Sequence, residues 1–195
     1  MAESSAHPSR RQGEPRPLGK GRWLRLEEVD YTGHDGQLRM WESVAREGTV
    51  GAVVMVAVLK PSGRLVLSRQ YRPPVDQVVL EFPAGLVDAG ETPEQTAMRE
   101  LREETGFSGD VTQVLPLSYS SAGMSNEAVW LVTLDIDEDL PANRTPEPQP
   151  EDGEDIEVVL LPLEELASCL QTPEGGGGLD SKVVAFALGA NLAVK

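Results

Sequence analysis

A chain of 195 residues with 17 Lys and Arg against 32 Asp and Glu, net charge -15, has the size of one ordinary domain plus a short extension. It lacks the clustered cations with which proteins grip a nucleic-acid backbone, and its longest apolar stretch, GAVVMVAVL, falls far short of the ~20 residues of a membrane helix. A single cysteine, Cys169, cannot close an internal disulfide, and no secretory apolar segment opens the chain, so a reducing, cytoplasmic (or nuclear) setting is expected, with Cys169 a small buried residue in a helix.

Residues 1 to 20 are rich in Pro, Ser, Gly and charge and predict a disordered arm. From Arg22, RWLRLEEVDY and QLRMWESVAR are strand-like runs around the turn-forming segment from Thr32 to Gly36, which predicts an N-terminal hairpin. Three more strands are expected in GAVVMVAVLK, RLVLSRQYR and QVVLEFPAG, separated by Pro61-Ser62-Gly63 and Pro73-Pro74. A helix then starts at Thr92, with Pro93 in its first position and Gln95 completing a capping box, and stops at Gly106. Paired strands VTQVLPLSYS and AVWLVTLDI follow, then a Pro- and acid-rich loop over about 138 to 155, the strand IEVVLLP, and helices over about 162 to 171 and 180 to 192 around the flexible Gly175 to Gly178 run. Short strands preceding a single helix indicate an α+β fold, not alternating βαβ units.

On the helix, Glu100 and Glu104 share one face with Glu103 beside them, a spacing at which like charges repel. Two readings account for it. The first is a solvated acidic face offset by Arg99 and Arg102. The second is a site for a hard divalent ion held by oxygens, Mg²⁺ or Mn²⁺, which would also give an acidic protein the positive charge needed to handle phosphates.

The residues around the cluster favour the second. Gly85, Glu91, Arg99, Glu100, Leu101, Glu103, Glu104, Gly106 and Phe107 match the spacing of the Nudix box without a departure. Seven fixed identities at a background near ~7% each coincide by chance at roughly one in 10⁸ per start position. The chain is therefore identified as resembling the Nudix hydrolases. That resemblance implies a fold of mixed β-sheets sandwiched between helices, here with the N-terminal hairpin as an extension: an arm over 1 to 20, strands for dimerisation and adenine binding over 21 to 47, and a hydrolase domain over 48 to 195. It also implies metal ligation by Glu100, Glu104, Glu103 and the carbonyl of Ala84, with Arg99 orienting the glutamates and Glu91 as an orienting neighbour.

The runs GRWLRLE, RMWESVAR, QYRPPVDQVVLEFPAGLVDAGETPE and EDGEDIEVVLLP further resemble the ADP-sugar pyrophosphatases, the animal type above all, over residues 22 to 192. The implied reaction is Mg²⁺-dependent hydrolysis (Mn²⁺ serving as an alternative) of ADP-ribose and related ADP-sugars to AMP and a sugar 5-phosphate. The implied assembly is a homodimer whose N-terminal strands help build the partner's site. Trp23 and Trp41 fall where that family stacks adenine, Arg46 and Arg72 match substrate-contacting arginines, and Glu81 would orient Arg72 or touch substrate. Glu154, in the EDGE loop, matches the general base. The loop Ser121-Ala122-Gly123-Met124-Ser125 departs from the Ser-Pro-Gly of many bacterial relatives. Two competing readings remain open at this point: a Nudix enzyme for oxidised nucleoside diphosphates or another dinucleotide, and a nucleotide-binding module without turnover.

Overall fold

The computed structural model describes residues 8–48, 50–151, 153–168 and 177–193. In chain order the strands are β1 (Arg10–Lys20), β2 (Leu24–Thr32), β3 (Leu38–Arg46), β4 (Ala52–Lys60), β5 (Arg64–Arg72), β6 (Gln77–Glu81) and β7 (Ala84–Leu86). Helix α1 (Pro93–Thr105) leads to β8 (Asp110–Val114), β9 (Ser118–Tyr119) and β10 (Ala128–Asp137). A one-turn helix α2 (Pro141–Arg144), β11 (Ile156–Pro162), the short β12 (Gly178–Leu179) and helix α3 (Ser181–Ala193) complete the chain. These elements fall into two compact units, Met1–Val50 with Ser118–Val129, and Gly51–Leu117 with Trp130–Lys195. The mixture of sheets and few helices is the α+β architecture that the strand pattern predicts. Among the described residues no helix is long and apolar enough to cross a membrane.

The first unit is an antiparallel sheet in the order β1-β2-β3, with Val44 of β3 donating its N–H to Met124 O at 2.8 Å from the 118–129 segment. The hairpin expected from RWLRLEEVDY and QLRMWESVAR is present as β2 and β3. Composition, however, predicts a disordered arm through residue 20, and Arg10–Lys20 instead pair along β2. The ladder is a backbone property that needs no apolar side chains, and β1 lies at an edge, where proline is tolerated. Register shifts between Gln12 and Arg16 and between Pro17 and Gly19 absorb the prolines, and the Arg16 guanidinium clamps Glu28 and Asp30 of β2.

The second unit holds the core. Val53, Met55, Ala57 and Leu59 of β4 pack with Val66, Val87, Ala97, Leu101, Phe107, Val132, Leu134 and Ile136. The sheet is mixed, since β12 runs parallel to β6 while the other registered pairs are antiparallel. One edge of β5 is lined by β11 from Arg64 to Gln70. The opposite edge is shared: Leu65 and Val66 pair with β4, and Ser68 to Arg72 pair with β6. QVVLEFPAG, expected as one strand, is therefore two. Pro83 has no N–H to continue a ladder, so the chain leaves β5 after Glu81 and joins β4 at Ala84, with Pro83 O accepting from Met55 N at 2.8 Å. This fork sets Glu81 and Ala84 at the split in the sheet.

VTQVLPLSYS likewise divides into β8 and β9 around Pro116. The helix expected over 162 to 171 begins as a single 3-10 turn, Leu163–Glu165, and its later part, with Cys169, lies outside the described residues. Gly178, expected in a flexible run, instead pairs with Val79 in β12. Helix α3 is present as expected, held by the buried Val183 and Ala187 and by an edge-to-face contact of Phe186 with Phe82, centroids 5.4 Å apart.

Candidate active site

Helix α1 begins as its sequence dictates. Thr92 Oγ1 accepts the N–H of Gln95 at 3.3 Å, and Gln95 Oε1 accepts the N–H of Thr92 at 2.9 Å, the reciprocal capping box. It ends at Gly106, whose φ of 75° is left-handed and whose N–H reaches Arg102 O. Between these caps, Ala97, Leu101, Glu104 and Thr105 fall at intervals of three and four and form the buried stripe. Glu104 thus occupies a core-facing position because of its spacing from Leu101, and only 7% of it is exposed.

A carboxylate in that place is electrostatically costly. Burial, first of all, then the charges of Glu100, Glu154 and Glu81 push Glu104 up to about 8, against the opposing pull of the Ala84 N–H, which donates to Glu104 Oε2 at 3.2 Å. Glu100 is also raised, mainly by burial, with Glu103 and Glu154 adding to the effect against Arg99. Such a group of oxygen donors, raised by desolvation and mutual repulsion, matches the chemistry of a hard divalent cation. Gly85 supplies the approach: a Cβ there would stand 1.9 Å from the Glu100 carboxyl carbon, so only glycine lets Glu100 lie against the β7 backbone.

Arg99 organises the outer side of the cluster. Its Nε and Nη2 donate to the two oxygens of Glu91 at 3.0 and 2.9 Å, a bidentate fork. Its Nη1 donates to Glu100 Oε1 at 2.8 Å and to Glu103 Oε2 at 3.0 Å, and Nη2 also reaches Leu86 O at 3.3 Å. Glu91, gripped first by Arg99 and then by Thr96, is lowered to about 2. Among the described residues no three carboxylates are gathered as a metal cage, and Glu100 and Glu103 are each paired with this guanidinium.

Glu154 is exposed in the loop before β11, its Oε2 accepting the N–H of Glu151 at 3.1 Å, and its charge reaches both Glu100 and Glu104. Arg72 and Glu81 are joined across β5 and β6 by Nε to Oε1 at 2.8 Å. They border a cavity of about 480 Å³ together with Val75, Gln77, Val79 and Asp180. In the first unit, Trp23 is 61% and Trp41 50% exposed. Arg22 lies 4.5 Å from the Trp23 ring centre, and Trp41 donates Nε1–H to Gly123 O at 3.0 Å and meets Tyr31 edge to face. Arg46 is exposed at the end of β3.

The expected residues therefore fall into three places. Glu91, Arg99, Glu100, Glu103 and Glu104 are brought together, Ala84 meets Glu104 through its N–H and not through the carbonyl expected as a ligand, and Glu154 is within electrostatic range of them. Arg72 pairs with Glu81. Trp23 and Trp41 are not brought together within one chain, since Leu24 pairs with Arg46 and Val29 with Trp41. Five ladder steps at ~3.4 Å per residue separate those pairs by about 17 Å, far beyond the spacing of two rings around one base. Sequence reasoning missed Thr96, a fully buried threonine whose hydroxyl bonds Glu91; its only advance signal is a polar residue one position before the Ala97 stripe.

A family model for the NUDIX domain matches residues 49–180. The chain belongs to the Nudix family. A protein of Mus musculus named ADP-sugar pyrophosphatase is 37% identical over 180 residues, covering 88% of this chain and 83% of that protein. The ADP-ribose pyrophosphatase of Saccharomyces cerevisiae is 35% identical over 181 residues, covering 88% and 78%. The crystal structure of an ADP compounds hydrolase superposes with a TM-score of 0.72 over 96% of this chain and 94% of its own, at 23% identity, and establishes the shared Nudix fold. Nudix hydrolases depend on a divalent metal, and the glutamates of α1 have the donor chemistry for one.

Proposed function

We propose that this Nudix hydrolase cleaves the diphosphate of ADP-ribose and related ADP-sugars, giving AMP and a sugar 5-phosphate, with Mg²⁺ as its ion and Mn²⁺ as a substitute. The observation that carries the reading is the raised, mutually repelling set of Glu100 and Glu104 beside Gly85, in which Arg99 offsets Glu100 but no cationic side chain pairs with the buried Glu104 among the described residues. The names of the mouse and yeast relatives supply the substrate class.

In this proposal Glu100, Glu104, Glu103 and the Ala84 carbonyl hold the metal. When bound, divalent ions neutralise the diphosphate and polarise its phosphorus. Arg99, fixed by Glu91, orients Glu100 and Glu103. Glu154 takes the proton of the attacking water; its place in an exposed loop leaves its carboxylate free to swing from the Glu151 N–H. Arg72, oriented by Glu81, contacts a phosphate or ribose oxygen, as does Arg46. Trp23 and Trp41 take the adenine by stacking.

The spacing of about 17 Å along the hairpin keeps Trp23 and Trp41 of one chain from stacking on the same base, so a base held between both rings would take Trp41 from a second copy, a reading in line with a homodimer. So is the exposure of Leu24, Leu26, Leu38 and Met40, which share one face of the β2–β3 ladder. The charge balance and the lack of a spanning helix among the described residues fit a small-molecule enzyme of the cytoplasm rather than a partner of nucleic acid or membrane. A panel of ADP-ribose, other ADP-sugars, dinucleotides and oxidised nucleoside diphosphates, ranked by kcat/KM with products identified, tests the substrate. ADP-ribose is expected to lead and to yield AMP, and a preference for another class overturns the assignment.

A further inference from the structure

The Arg99 fork is only as well placed as Glu91, and Glu91 is itself anchored by a residue at a position that the box leaves unspecified. Thr96 sits on the first turns of α1, fully buried, five positions after Glu91. A threonine hydroxyl within a helix can turn back to the carbonyl four residues earlier. Here that carbonyl, Thr92 O, takes the Thr96 N–H at 3.0 Å, while the Thr96 hydroxyl donates to Glu91 Oε2 at 2.8 Å. The same Glu91 oxygen accepts from Arg99 Nη2 at 2.9 Å, and its other oxygen from Arg99 Nε at 3.0 Å. Both Glu91 oxygens are thus fixed, and the guanidinium plane with them, which leaves Nη1 aimed at Glu100 and Glu103.

We infer that Thr96 is a positioning residue: its hydroxyl sets Glu91, Glu91 sets Arg99, and Arg99 presents Glu100 and Glu103 for the metal. This rests on the reading of those glutamates as metal ligands. Outer partners of ligands commonly contribute 10- to 100-fold to metal affinity, and Thr96 acts at one further remove, so about 3- to 10-fold is expected.

Two variants of the full chain separate the hydroxyl from its packing. Thr96→Val keeps the shape and loses the donor, whereas Thr96→Ser keeps the donor. Exchange of the Arg99 Nε–H with water, followed by NMR without metal, reads the fork directly, and the EPR signal of free Mn²⁺ reads affinity. Thr96→Val is expected to speed that exchange several-fold and to weaken Mn²⁺ by about 3- to 10-fold, with Thr96→Ser close to wild type in both. Unchanged exchange and affinity in Thr96→Val overturn the inference, and so does equal impairment in both variants, which assigns Thr96 to packing alone. If the wild type itself takes up no Mn²⁺, the metal reading fails, and the exchange rate still decides whether Thr96 holds the Glu91–Arg99 fork.

Discussion

Replacing Glu104 by glutamine is expected to stabilise the metal-free protein while removing its response to metal. Burial, with Glu100, Glu154 and Glu81, holds the Glu104 carboxyl at about 8, from an ordinary value of 4.5. A carboxyl raised in the folded state keeps its proton there after the unfolded chain has released its own, so stability is full below about 4.5 and falls as pH rises to about 8. At ~1.4 kcal/mol per pH unit, this one group costs about 3 kcal/mol by pH 7 and about 5 kcal/mol above pH 8. Glutamine carries no charge at any of these values and still offers a carbonyl oxygen to the Ala84 N–H. Thermal unfolding in EDTA at pH 7 is therefore expected to show Glu104→Gln about 6 to 12 °C above wild type, at ~2–4 °C per kcal/mol for a chain of this size, with the gap closing toward pH 4. Adding Mg²⁺ should raise the wild type and leave the variant where it was, while hydrolysis falls by at least about 100-fold. A variant no more stable than wild type at pH 7 in EDTA, or one stabilised equally by Mg²⁺, would refute the claim that this buried charge awaits a cation.

Gly85→Ala should displace the Glu100 carboxylate, because the new Cβ would sit 1.9 Å from it, and Glu100 can swing away. Activity is expected to fall at least about 10-fold with stability changed by less than about 1 kcal/mol, as read by kinetics and urea melts side by side. Gly106→Ala should do the reverse, since its φ of 75° and a Cβ 2.4 Å from the Glu147 N strain rigid backbone; a loss above about 1 kcal/mol is expected in the same melts. Trp41→Ala and Trp23→Ala should each raise KM for ADP-ribose by about 10-fold, from ~1–3 kcal/mol of lost stacking, and mixing the two variants should restore part of the activity if bases are closed between copies. No recovery on mixing, in samples shown by sedimentation to exchange subunits, would count against the shared sandwich.

How far the sequence could be read follows from which interactions are local. Helix α1 was legible to the residue because its start and stop are local: Thr92, Pro93, Gln95 and Gly106 are the caps that the structure contains. The glutamate cluster was legible because helical spacing alone brings Glu100, Glu103 and Glu104 together. What tertiary pairing decides was not. Arg10–Lys20 carry no apolar pattern, and β1 exists through backbone bonds to β2. The breaks at Pro83 and Pro116 depend on which neighbour each half-strand meets. The separation of Trp23 from Trp41 needs the register of β2 on β3, which neither run reveals by itself. The burial of Glu104 was implicit in its distance from Leu101, yet its effect on the carboxyl required knowing that Glu81 and Glu154 come near.

The most direct test of the central claim is ADP-ribose incubated with the EDTA-stripped protein, with products separated and identified before and after Mg²⁺ is restored. AMP and ribose 5-phosphate in equal amounts, appearing only with the ion, are expected. Cleavage that proceeds unchanged without a divalent ion, or ADP-ribose left intact with it, would contradict the claim.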